Sequence, residues 1–176
     1  MMIPLPIIAT TLGFGALCMA TDLHSRRIPN ALTGLGVLAG LALNALHFGS
    51  DGLVASGAGF GAAIAVLFVP FALGGIGGGD DKMMAAIGAL LGPRVTAGAL
   101  LAGLILGGIV MAVHLARLGR LGQTLRTVGT MAAASALGGS LEALRVSDST
   151  PGAITLPYSV PLGLGTLVAL LASGSM

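Results

Sequence analysis

Residues Gly74–Gly92 read GGIGGGDDKMMAAIGALLG: five glycines, two adjacent aspartates, a lysine and then an apolar run. The chain holds only six acids in 176 residues, yet two of them open a hydrophobic helix. Lys82–Leu91 rises about 15 Å at 1.5 Å per residue, half of a hydrocarbon core of about 30 Å. If this piece reaches a turn at Gly92-Pro93-Arg94 on one face of a bilayer, its start lies below the opposite face. Irregular backbone is tolerated there only when it is buried in protein or lines a wet cavity. The stretch therefore predicts a broken, Gly-rich segment entering the membrane from one side. Its carboxylates complement the orphan N–H groups and the positive end of the helix they open.

The rest of the chain agrees with a membrane setting. Charged residues make up 8%, against roughly 25% in ordinary soluble domains, and the mean hydropathy is +1.01. Apolar runs at Ile3–Thr21, Ala31–Phe48, Leu53–Leu73, Val95–Ala116 and Thr155–Leu171 join the short Lys82–Leu91 piece. The expected fold is all-α: one polytopic membrane domain over residues 1–176, with about six transmembrane helices. Residues 117–150 mix Arg117, Arg120, Arg126 and Arg145 with Leu, Val and Met. They read as a loop containing an amphipathic helix on the membrane surface, although TMAAASALGG is apolar enough for a re-entrant piece. The N-terminus lacks a basic n-region and reads as a first span, not a cleaved signal.

With the N-terminus outside, Arg26, Arg27, Lys82, Arg117, Arg120, Arg126 and Arg145 share one face and only Arg94 takes the other. That bias marks the cytoplasmic side. The basic pI of about 9.3 comes from only eight Lys and Arg. With 3% aromatics and no Trp, nothing offers a stacking platform for nucleic acid. Cys18 is a lone thiol in the first span. His24, His47 and His114 have no ligand spacing, so no metal and no cofactor are expected.

Asp51, Glu142 and Asp148 read as solvated surface. Asp22 and Asp80 each stand where an apolar helix meets the cytoplasmic interface, where a carboxylate is costly unless paired or used. Helix capping accounts for one aspartate at the glycine loop, but not for another at position 22, followed closely by RRIPN. Two carboxylates sharing a sheltered site do not both ionise readily, which supplies one acid and one base at neutral pH. Aspartic proteases activate water in this way.

These residues resemble a known family. GGGD (Gly77–Asp80) with Lys82 and the apolar run behind it is similar to the GxGDxK signature of the prepilin peptidases. Asp22 with Arg26, Ile28, Pro29 and Asn30 resembles that family's aspartate followed by a basic stretch and IPN. LPYSVPLGLG (Leu156–Gly165), with Pro157 and Tyr158, is similar to its proline-aromatic segment before the last helix. The insert with paired cysteines that methylates the new N-terminus in larger members is absent. The chain thus most resembles the small peptidases of tight-adherence (Tad/Flp) pili, with archaeal preflagellin peptidases as near relatives.

The resemblance implies catalysis by Asp22 and Asp80 through a shared water, in a bacterial inner membrane and on its cytoplasmic face. The implied substrate is a pilin or pseudopilin precursor whose short basic leader ends in Gly ahead of an apolar helix. Gly77, Gly79, Asp81, Lys82, Arg26, Pro29, Asn30, Pro157 and Tyr158 are the supporting motif residues. One departure is Asp81, where the family is commonly apolar, and from chemistry alone Asp81 could replace or tune Asp80. Arg26 and Arg27 read as lipid-facing anchors. Lys82 reads either as a partner of Asp81 or Asp22 or as a snorkelling side chain. Two other readings stand beside the peptidase: a cation-coupled transporter or channel component, and a non-catalytic scaffold for pilus assembly.

Overall fold

The computed structural model describes residues 3–72, 78–136 and 158–174, and all regular structure among them is helical. The elements are α1 (Leu5–Ser25), α2 (Asn30–Ala72), α3 (Gly78–Arg117), α4 (Leu121–Ala136) and α5 (Ser159–Ala172). The first three are long and apolar enough to cross a membrane. The 43 residues of α2 and the 40 of α3 would each rise about 60 Å if straight, twice a hydrocarbon core. Neither is straight. Each breaks at a glycine with positive φ, Gly49 (φ 62°, ψ −138°) in α2 and Gly92 (φ 72°, ψ 173°) in α3. Side-chain-bearing residues rarely adopt that region.

The break in α2 is a reversal. A Cβ placed on Gly52 would run into the Asn44 carbonyl, eight residues back and about 12 Å away in a continuous helix. Residues 30–48 and 50–72 are therefore two arms of a hairpin. The first arm of α3, residues 78–91, lies against both of them. A Cβ on Gly40 would meet the Ala89 and Leu90 backbone, and one on Gly59 would collide with the Gly88 carbonyl. Beyond Gly92, the second arm of α3 packs on α5, where Gly103 and Gly165 bring the two backbones together. Small residues at such crossings let membrane helices approach closely.

This arrangement makes the first arm of α3 the centre of the molecule. Every residue from Met83 to Gly92 is buried, as expected for a helix apolar on all sides. Leu46, Val54, Leu101 and Ile105 lie exposed on the outside, the side offered to lipid. Gly59→Ala is expected to force α2 away from α3. Overpacking of this kind costs about 1–3 kcal/mol, readable as a lowered unfolding midpoint in detergent.

The boundaries differ from the sequence reading in informative ways. Helix α1 runs on through Asp22 to Ser25, because the Thr21 and Ser25 hydroxyls bond back to the carbonyls of Leu17, Cys18 and Thr21 within the helix. It stops at Arg26 in the left-handed region (φ 51°), whose N–H donates to the Asp22 carbonyl. Asp51 lies within the second arm of α2, since Gly49 alone makes the turn between the apolar runs Ala31–Phe48 and Leu53–Leu73. Helix α3 opens at Gly78, four residues before Lys82. Its first arm rises about 21 Å, still short of a full span. A turn at Gly119 precedes α4, on which Leu125 is exposed. Gly77, Pro157, Arg145, Glu142, Asp148 and the remainder of 137–150 lie outside the described residues.

Candidate active site

The site is assembled from helix ends. Asp22 occupies the last turn of α1, and Asp80 and Asp81 occupy the first turn of α3. Asn30 begins α2, and Ser159 begins α5. Contacts among distant parts of the chain hold these ends together. The Lys82 Nζ donates to Asn30 Oδ1 at 2.8 Å, so the motif lysine reaches the IPN asparagine. Gly79 packs on Ile28, where a Cβ would sit 3.5 Å from Ile28 Cγ1, and Ile28 is itself buried. The Ser159 hydroxyl donates to Asp22 Oδ2 at 2.5 Å.

Asp22 and Asp80 thus stand at the same end of the helices, with the start of α5 bonded to Asp22. Asp80 is buried at 7% exposure, and Asp22 is half-buried. The helix fields differ at the two positions. Asp80 lies at the positive end of α3, which favours a carboxylate, whereas Asp22 lies at the negative end of α1, which does not. The N-terminal end of α5 meets Asp22 with a hydroxyl. Asp81 is half-buried, and its Oδ1 has no hydrogen-bond partner among the described residues. Arg26, Arg27, Pro29 and Asn30 are exposed at this same end, while Arg94 lies beyond the Gly92 break at the other.

The sequence pattern of the type IV leader peptidase family matches residues 9–112, more than half of the chain. The chain belongs to that family. Membership makes it a protease with a protein substrate, and the long apolar helices make it a membrane protein. No curated protein and no solved structure matches it significantly. The family match takes in Asp22, Ile28-Pro29-Asn30 and Asp80, and it ends before α4 and α5.

Two sets of residues were not singled out from the sequence. Ser159 sits beside the noted Pro157 and Tyr158, and its only signal is a hydroxyl residue at a helix start. Asn44 and Ser56 lie at the far end of the first α3 arm. The Asn44 Nδ2 donates to the carbonyls of Gly40, Ala89 and Leu90, and the Ser56 hydroxyl donates to that of Ala89 at 2.6 Å. Their signal was visible: polar side chains inside apolar runs are costly unless they have work to do.

Proposed function

We propose that this leader peptidase is an aspartic endopeptidase in which Asp22 and Asp80 share a catalytic water. It removes the short basic leader of type IV pilin and pseudopilin precursors, of the Tad/Flp type, at the cytoplasmic face of the inner membrane. The observation that supports this reading is the tie of the α3 start to the Ile28–Asn30 segment that follows α1, which puts the helix ends bearing Asp22 and Asp80 at the same end of the molecule. One carboxylate, ionised, takes a proton from water as the oxygen attacks the scissile carbonyl. The other, protonated, donates to the carbonyl oxygen, and collapse of the tetrahedral intermediate expels the amine with a proton returned to it.

The remaining motif residues support the pair without entering the chemistry. Lys82 is spent on Asn30, which ties the start of α3 to the start of α2 and so fixes the segment that carries Asp80. Exposed Arg26 and Arg27 face anionic head groups and repel a basic leader, which makes them anchors and not its readers. A glycine before the scissile bond suits the substrate, because the peptide must leave the helical form to be cut and Gly weakens a helix by about 1 kcal/mol.

The test is cleavage of a precursor carrying a basic leader, a glycine and an apolar helix by purified protein in detergent. Turnover without any ion gradient excludes the transporter reading, and an absence of turnover counts against the peptidase. In the same assay Asp81→Asn is expected to change the rate by no more than about threefold, since Asp81 tunes the site through charge alone. If it alone silences the enzyme, the catalytic position is 81 and not 80.

A further inference from the structure

A serine at a helix N-cap turns its hydroxyl onto its own helix and satisfies an orphan N–H there; Ser159 stands one residue past the cap, as the first helical residue of α5. The cap position of α5 is Tyr158, which makes no side-chain capping bond, and the Ser159 hydroxyl crosses to Asp22 Oδ2 on α1 at 2.5 Å. Ser159 is fully buried and Asp22 half-buried, so the bond is sheltered on the serine side while the carboxylate stays open to water. The bond joins residues 137 positions apart, and Ser159 lies outside the segment that matches the family.

The field around Asp22 explains why a donor is needed. Arg26 caps the C-terminus of α1 by donating to the Asp22 backbone carbonyl at 2.7 Å, and the carboxylate of the same residue faces the negative end of that helix. Without a partner it would swing into any of several rotamers. The Ser159 hydroxyl removes that freedom, and the start of α5 supplies a positive helix end. Charge-assisted bonds of this length are among the stronger ones in proteins.

On the footing of the peptidase reading, we infer that Ser159 is a positioning residue that fixes the Asp22 carboxylate through Oδ2 and leaves Oδ1 to the catalytic water. Misplacing a reacting group by about 1 Å costs up to roughly a hundredfold in rate. The effect belongs in kcat, because the bond concerns the reacting carboxylate and not the bound leader or the substrate's apolar helix.

The experiment measures kcat and KM for the same precursor with wild type, Ser159→Ala, Ser159→Thr and Asp22→Asn, alongside thermal unfolding in the same detergent. Ser159→Ala is expected to lower kcat by about ten- to a hundredfold, with KM within about twofold and an unfolding midpoint close to wild type. Ser159→Thr, which keeps the hydroxyl, should recover most of the rate. An alanine variant that cleaves like wild type overturns the inference, as does a folded threonine variant as slow as the alanine one. A midpoint lowered enough to explain the loss would make the contact a tether between α1 and α5, and that also overturns it. Failure of the peptidase reading looks different: wild type does not cleave, or Asp22→Asn cleaves normally.

Discussion

Asp22→Asn and Asp80→Asn are each expected to abolish precursor cleavage, with a loss of about a thousandfold or more, while protein level in the membrane and helicity stay near wild type. Asparagine keeps the size of the side chain and its capacity to accept a hydrogen bond. It can neither take a proton from water nor carry one to a carbonyl. If the two carboxylates act as a unit on one water, as proposed, removing one should cost nearly as much as removing both, so the double variant is expected to be no slower than either single one. Strict additivity of the two losses would mean that they act independently, which a shared water forbids. A scaffold for pilus assembly would tolerate both changes and leave precursor processing intact. The two outcomes separate cleanly in a co-expression assay that follows the size of the precursor.

Stability should report the opposite pattern at these positions. Asp22 accepts the Ser159 hydroxyl at the disfavoured end of α1, and Asp80 is buried at the favourable end of α3, so at each position a cost and a gain oppose each other. Asparagine keeps an acceptor at either position, and the unfolding midpoint is expected to stay near wild type. Loss of cleavage with no loss of fold is the joint signature of a catalytic pair.

Much of this was readable from the chain because two strong signals overlap. Hydropathy marks out the apolar runs, and α1, the arms of α2 and α3, and α5 fall on them. The aspartates at 22 and 80 are costly where they stand, and they sit in motifs whose order along the chain is specific. What the sequence did not yield depends on contacts between distant residues. Hydrophobic pattern does not say that the first turn of α5 would spend its serine on α1 and not on itself. Nor does it say that, of the four residues between the two apolar runs, Gly49 alone would make the reversal. Helix α1 outruns the apolar run Ile3–Thr21 for a local reason: its last residues are polar, but the hydroxyls of Thr21 and Ser25 are satisfied on helix carbonyls. The helix stops only where Arg26 turns left-handed.

The largest expected loss of stability lies at the other end of the molecule, in the pair Asn44→Ala and Ser56→Ala. The break at Gly92 leaves the last carbonyls of the first α3 arm without helical partners, and Pro93 has no N–H to offer Ala89, four residues earlier. Ala89 and Leu90 are buried inside the protein, so no bulk water can take over that role. Asn44 serves Ala89 and Leu90, Ser56 serves Ala89 again, and the Thr96 hydroxyl covers Gly92 at 2.6 Å. Each buried carbonyl left unsatisfied costs about 1–3 kcal/mol, so the double variant should lose about 2–6 kcal/mol plus the packing of two side chains. Ser56→Ala alone should lose far less, because Asn44 still reaches Ala89, whereas Asn44→Ala orphans Leu90 outright. That ordering, double well beyond Asn44→Ala and Asn44→Ala beyond Ser56→Ala, can be read from unfolding midpoints in detergent. Equal losses for the two single variants would mean that the broken helix end finds its partners elsewhere. The arm so held carries Asp80 at its opposite end, about 14 Å away along the helix. Slack at the brace is therefore expected to reach the carboxylate, and the double variant, where it still folds, should cleave more slowly with KM little changed.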